Sequence, residues 1–334
     1  MRERRREEGG GGRSEQERLA DQTSPLSLGT LVAVPRPLTY VERRTDGYAE
    51  PELVLLLAAS HASATSAADA DRVVREARPD AVVLELCRSR TGVLAEDGDG
   101  DEAPTKADNP FALSGSLARS VRLSGGNPAA LLIRLLLARS AAKVAAGLGA
   151  GRPGADARAA ASAASAVGAT LVLGDRPIEI TLSRAWRGMT WGQRCAVVSS
   201  LGSGPPPGVD AASVDALRRD PASLAAVAES LTTAAPPLAT ALLHERDEWL
   251  AWSLARSRAV DGAGVVVGVL GAAHVRGVAF HLLRGADMRP RFKELAGVGE
   301  GGKKEMAAKV GVEVGIAVAF GVLLAAWGGW REGW

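Results

Sequence analysis

Four short apolar runs, each closed by small or polar residues, organise the chain. The first, Leu53–Leu57, lies in ELVLLLAASHAS, and the SAADADRVVREARPD that follows spaces its apolar residues as an amphipathic helix does. Pro79 and Asp80 stop that helix, and AVVLEL (Ala81–Leu86) is short enough for a buried strand. Strand, helix, strand predicts a βαβ unit with parallel strands and a right-handed crossover. The pattern returns after Pro153 and Gly154, where ADARAAASAASAVGA reads as an alanine-rich helix and TLVLGD (Thr170–Asp175) as a third strand. Gly264–Leu270 (GVVVGVL) is the fourth run, and GAAHVRGVAFHLL after it reads as a turn and a helix. Two further helices are predicted, one from Asn127 and Pro128 and one, long and amphipathic, after Pro236 and Pro237. Repeated run, turn and helix predicts one α/β domain over residues 28–298, a doubly wound, mostly parallel sheet with helices on both faces.

The remaining segments lack this rhythm. Residues 1–27 mix Arg and Glu with a run of glycines and no apolar face, which predicts a disordered tail rather than a targeting signal. Residues 94–109 are acidic and Gly-rich, the composition of a solvated loop. Residues 202–221 form a Pro/Gly-rich connection. At the other end, Val314–Trp330 is seventeen residues without a charge, at the short limit of the roughly 17 to 25 that span a bilayer. Lys303, Lys304 and Lys309 precede it, in a basic linker over 299–309. The expectation is a transmembrane tail anchor over 310–330, with the domain facing the cytosol. Moderate hydrophobicity with basic residues ahead of the span points to the mitochondrial outer membrane, with endoplasmic reticulum or plastid envelope as alternatives.

Composition narrows the chemistry. A formal charge of +2 on 334 residues gives no global field for nucleic acid, so none is expected as a partner. Two cysteines, Cys87 and Cys195, can build neither a disulfide framework nor a thiolate zinc site.

The residues that could carry chemistry fall at the ends of the predicted strands. His61 and His274 each end a strand and open a helix, in LLLAASHAS and GVLGAAHVRG. In a parallel sheet those turns share the carboxyl edge, so residues far apart in the chain can meet there. Glu85 closes an apolar strand, where an unpaired carboxylate would be expensive to bury. Asp175 and Arg176 close another at the same level. His61, Glu85, Asp175, Arg176 and His274 are thus expected on one rim, with Glu245 and Arg246 of the charge-dense block His244–Glu248 within reach of it. Two histidines and a carboxylate could bind a divalent metal and generate a nucleophilic water, with His61, Glu85 and His274 as ligands, or act as general bases without one. Arg246 and Arg176 would neutralise Glu85 and Asp175 or hold an anionic substrate group. Each member also has a plainer reading: turn-capping histidines, Glu85 paired with Arg88 or Arg90, Asp175 capping a turn before Pro177.

Several blocks resemble the TraB group, which includes the pheromone-shutdown proteins and is related to the Tiki and GumN proteins. They are the turn Ala58–His61, the run Pro79–Arg90, Pro153–Asp156, Gly174–Arg184, Glu245–Asp247, and Gly271–His274 with Gly277 following. They cover roughly 53–284 in the family's order. Ala58 stands where the group usually places Gly, and Asp156 where it places Glu, which bears on the tightness of the first turn and the reach of that carboxylate. The resemblance implies an erythromycin-esterase-like α/β fold, a metal-dependent hydrolase site in the Tiki branch, and membrane-anchored eukaryotic forms, some at the mitochondrial outer membrane. Two functions follow as expectations: an organelle-surface adaptor or regulator retaining a hydrolase-like pocket, with a protein or peptide partner, or a membrane-tethered, metal-dependent, peptidase-like hydrolase. The altered turn and the tail tip the expectation slightly to the first.

Overall fold

A computed structural model of the chain describes residues 29–36, 46–61, 63–94, 154–202, 216–284 and 292–297. The predicted tail over 1–27, the acidic loop beyond Leu94, the helix from Asn127, the basic linker and the span over 310–330 lie outside the described residues. Among the described residues, no helix is long and apolar enough to cross a membrane.

All four apolar runs are strands of one sheet. They are β2 (Leu53–Ala59), β3 (Ala81–Leu84), β4 (Thr170–Leu173) and β5 (Val265–Gly271). A fifth strand, β1 (Leu31–Pro35), was not predicted. The order is β1-β2-β5-β3-β4, so β5, last in sequence, enters between β2 and β3. It pairs with both in parallel, with Leu56 beside Gly268 and Val83 beside Gly268 on the other side. β4 adds to β3 in parallel. Only β1 runs antiparallel, Ala33 opposite Leu55, at the edge of the sheet. It is partly exposed, as is β4 at the opposite edge, and its antiparallel pairing sets it outside the run, turn and helix pattern of the other strands.

Alternation along the strands sorts the apolar side chains to two faces. On one, Val54, Leu56, Ala58, Val266 and Leu270 pack against Leu250 and Leu254 of helix α7 (Glu245–Ala255) and Val275 and Val278 of helix α8 (Ala272–Arg284). On the other, Leu57, Val82, Leu84, Val267 and Val269 pack against Val73 and Val74 of α1 (Ala64–Ala77) and against Ala160, Ala163 and Ala164 of α2 (Ala155–Val167). The alanine stripe of α2, with Ala160, Ala163 and Ala164 buried, lets α2 lie close to α1. Ser63 caps α1 by accepting from the Ser66 amide. Helices α3 (Ile178–Gly188), α4 (Trp191–Gly202), α5 (Pro221–Ala234), α6 (Pro236–Ala239) and α9 (Phe292–Ala296) complete the described elements.

Two boundaries differ from expectation and matter for the site. β3 ends at Leu84, so Glu85 stands just beyond the ladder with its side chain free to turn to the carboxyl edge. The single long helix expected after Pro237 is interrupted by a π-helical turn, Thr240–His244, between α6 and α7. The wider turn shifts the register, leaving His244 exposed while Glu245, Arg246, Asp247 and Glu248 are all buried. π-turns of this kind occur frequently at functional sites.

Candidate functional site

At the carboxyl edge the four parallel strands deliver His61, Glu85, Asp175 and His274 to one place, with Glu85 at its centre. His61 Nε2 is 3.7 Å from Glu85 Oε2, and His274 Nε2 is 3.5 Å from Glu85 Oε1. Each histidine is held from behind by its own aspartate. His61 Nδ1 lies 2.9 Å from Asp156 Oδ2, and His274 Nδ1 lies 2.6 Å from Asp247 Oδ1. Such a contact fixes the ring and leaves the other nitrogen directed at the centre of the cluster.

Local backbone explains how these rings reach their positions. His61 has φ 60, a left-handed conformation costly for a residue with a side chain, which turns the chain sharply between β2 and α1. Its carbonyl accepts from the Gly154 amide at 2.8 Å, so the start of α2, and Asp156 in its first turn, is tied to the His61 turn. Asp156 thus reaches His61 although it is shorter than the glutamate of the family pattern. On the far side, Gly277 lets α8 pass over Asp247: a Cβ there would lie 2.0 Å from Asp247 Oδ2. Gly271 works similarly beneath the cluster, its amide donating to Glu85 Oε2 at 2.6 Å.

Arg246 is the hub of the positive charge. Its Nη2 donates to Glu85 Oε1 and, at 2.9 Å, to Asp175 Oδ2, while Nε donates to Asp175 Oδ1 at 3.1 Å. Nη1 lies 3.0 Å from His274 Nε2, and His274 Nδ1 faces Asp247 Oδ1 on its other side. Arg90 donates to Asp175 Oδ2 at 2.5 Å and to the Glu85 carbonyl at 2.8 Å. Asp175 Oδ1 also accepts from the Arg176 amide, so the turn-capping role and the charged role coexist.

Arg176 and Glu245 do not join this cluster. The Arg176 guanidinium is fully buried and donates to Glu245 Oε2 at 2.8 Å, to Thr181 Oγ1 and to the Ala241 carbonyl. Glu245 is also held by Arg184, at 2.6 and 2.7 Å. This neighbouring network fastens α3 to α7 and, through Arg184 and the carbonyls of Glu294 and Gly297, to α9. Their place next to Asp175 and Arg246 in sequence made them indistinguishable from rim residues; consecutive residues on α7 point different ways. Asp156 and Asp247, conversely, hold the two histidines although neither was among the expected site residues, and Arg90, weighed as a partner of Glu85, binds the Glu85 carbonyl and the Asp175 carboxylate. The hint for Asp247 was a carboxylate inside an apolar helix.

The electrostatics follow from burial against pairing. Burial would lower the His61 pKa, but the charges and hydrogen bonds of Asp156 and Glu85 outweigh it and push it up to about 10. Burial would raise Glu85, but His274, Arg246 and His61 around it hold its carboxyl well below the usual carboxylate range. Asp175 is likewise lowered by Arg246 and Arg90 against its burial. Asp247 goes the other way: burial raises it beyond what His274 restores. The cluster is therefore a buried ion network open to solvent at one ring, His61, whose side chain is 44% exposed.

For a divalent cation the donor chemistry is suitable. Two imidazole nitrogens, each backed by a carboxylate, face one carboxylate, and separations of 3.5 and 3.7 Å are near the roughly 3.3 Å between ligands sharing a tetrahedral zinc-like ion. The guanidinium of Arg246, however, lies on His274 Nε2 and Glu85 Oε1, the lone pairs such an ion would use. Among the described residues, no group of three or more His, Cys, Asp or Glu side chains is arranged to hold a metal as it stands.

Comparison with known proteins identifies the family. The model of the TraB/PrgY/gumN family matches residues 46–289, which include every residue of the cluster. TraB domain-containing proteins of cattle and human are each 29% identical to the chain over 239 residues, and that of mouse 28%. The aligned part is 67% of this chain and 61% of each relative. With its sheet, its paired histidine turns and the family's pattern spanning them, the chain belongs to the TraB/PrgY/gumN family.

Proposed function

We propose that the carboxyl-edge cluster is a hydrolytic site, acting on a peptide or another carbonyl substrate, in a protein tethered to a membrane by its C-terminal end. The observation that carries the reading is the convergence of two aspartate-backed histidines on one carboxylate. Simple structural pairing would be satisfied by Arg246 and Glu85 alone and would not require a strained, half-exposed His61. Hydrolysis needs groups that orient the substrate, hold charge and move a proton. His61, charged at neutral pH and reachable from solvent, is the residue to donate a hydrogen bond or a proton to a carbonyl or leaving group. Glu85 holds His61 and His274 in register, and Arg246 with Arg90 keeps Glu85 and Asp175 ionised.

If a divalent ion completes the site, His61, Glu85 and His274 would hold it, and binding requires His61 to release its ring proton and Arg246 to yield its contacts with His274 and Glu85. Such an ion would polarise a carbonyl and activate water. The decisive experiment is elemental analysis and peptide-hydrolysis assay of the purified protein beside its His61→Ala and His274→Ala variants. Metal in stoichiometric amount and turnover, both lost in the variants, are expected; an equally metal-free and inactive wild type would remove the hydrolase.

One observation favours a second reading. Because Arg246 already satisfies Glu85, Asp175 and His274, the same cluster is stable without ligand or ion. In that form it suits an adaptor or regulator at an organelle surface, with the tail anchor at the mitochondrial outer membrane as the first destination to examine.

A further inference from the structure

The exposed face of α8 is unlike the rest of the surface. Val275 and Val278 turn inward to the sheet, whereas Phe280 and Leu283 stand 52% and 62% exposed, three residues apart on one outward face. Arg276 and Arg284 are exposed on the same helix, the latter with its guanidinium 5.1 Å from the centre of the Phe280 ring. No acidic residue occurs between Ala272 and Arg284. Helix α5 packs alongside and adds Val227, 57% exposed, on a helix whose one acid is Glu229. Aromatic and aliphatic side chains flanked by arginines, with no acid on α8 itself, are the features of a helix that lies in the headgroup region of a bilayer.

We propose that α8, with the adjoining side of α5, docks the domain flat on an anionic lipid surface. The proposal rests on the membrane-tethered reading above and specifies how the domain would sit. Charge selects this occupant over a second copy of the chain: in a two-fold contact the patch would meet itself and bring Arg276 and Arg284 against their own equivalents, with Glu229 of α5 as the one acid on the two helices to set against these two arginines in each copy. Anionic headgroups supply the missing partner, and the charge-free stretch Val314–Trp330, preceded by three lysines, brings the same chain to the same surface. Phe280 and Leu283 would insert beside the headgroups while the arginine stems reach along them.

The test uses the full chain with a polarity-sensitive fluorophore on Leu283→Cys in a Cys195→Ser background, Cys87 being buried. A second sample carries the probe at Leu171→Cys, on β4 at the opposite edge of the sheet. Both are reconstituted with vesicles of phosphatidylcholine alone or with phosphatidylserine added. The expected result is a blue shift and quenching by brominated lipid at position 283 only, strongest with phosphatidylserine, and weakened about tenfold or more by Arg276→Glu with Arg284→Glu. A dry signal at 283 that depends on protein concentration and not on lipid would mean a second copy covers the face and would overturn the proposal. So would equal solvent exposure at 283 and 171 on vesicles that retain the protein; the tail anchor would then survive alone. Shielding at 283 in protein that alkaline extraction strips from the vesicles would uphold the docking face and remove the tail anchor. Protein that never associates with vesicles would overturn both.

Discussion

His61 is the residue whose chemistry the surroundings change most. Because its folded pKa is raised above the unfolded value near 6.5, its pairing stabilises the fold fully below that value, and this is lost as pH rises through about 10. An NMR titration of the ring is expected to show it charged throughout neutrality, and Asp156→Asn is expected to lower the midpoint; an unshifted midpoint in that variant would remove Asp156 as the cause. Glu85 and Asp175 obey the opposite sign. Their depressed values give stability that is present above about pH 4 and lost as pH falls through the folded values, so acid unfolding should be steep. Replacing Glu85 by Gln leaves Arg246 and His61 buried or half-buried against a neutral amide. By analogy with other broken buried pairs the loss should be about 3–5 kcal/mol, read from urea denaturation. A loss under 1 kcal/mol would mean that Asp175 alone suffices for Arg246.

Packing between elements sets where those residues stand. Gly277 marks the closest approach of α8 to α7, and the Asp247 carboxylate in its way is not a loose end, because it is hydrogen-bonded to His274. Gly277→Ala should therefore cost about 1–3 kcal/mol and displace Asp247 from His274. Thermal denaturation measures the first; the second should appear as a changed NMR chemical shift of the His274 ring at fixed pH that Asp247→Asn reproduces. On the other face, Ser63→Ala removes the cap of α1 and should cost about 1 kcal/mol with the His61 titration unchanged, since His61 is held by Asp156 and Glu85. Both variants alter a helix contact, and only the first should reach the site.

At the scale of the molecule, the two buried ion networks share α7. Glu245 joins Arg176 and Arg184, which hold the carbonyls at the end of α9, and the next residue, Arg246, enters the rim cluster. The last described residue before the basic linker, Gly297, is thus bound to the body of the domain. Deleting residues 306–334 should leave that clamp intact and release a folded protein into the soluble fraction. Retention of the folded, truncated protein after alkaline extraction would defeat the tail anchor.

Residue pattern alone determined the four parallel strands: β2, β3 and β5 are largely buried and so must be short apolar runs, and β4, partly exposed at the edge, was legible because it closes the same helix-then-run rhythm. It determined too that His61, Glu85, Asp175 and His274 share an edge, since parallel strands leave their ends on one side. The edge strand Leu31–Pro35, also an apolar run, escaped because it joins β2 in antiparallel fashion and stands outside the run, turn and helix rhythm that marked the others. What only the tertiary structure decided was which charges meet. Along α7, Glu245, Arg246 and Asp247 are consecutive and alike in sequence, but the π-turn before them and the glycine opposite send each to a different partner. Arg246 therefore took the place beside Glu85 that spacing would equally have given to Arg88, Arg90 or Arg176, because pairing of buried charges is settled by distance in space and by the cost of leaving any one of them alone.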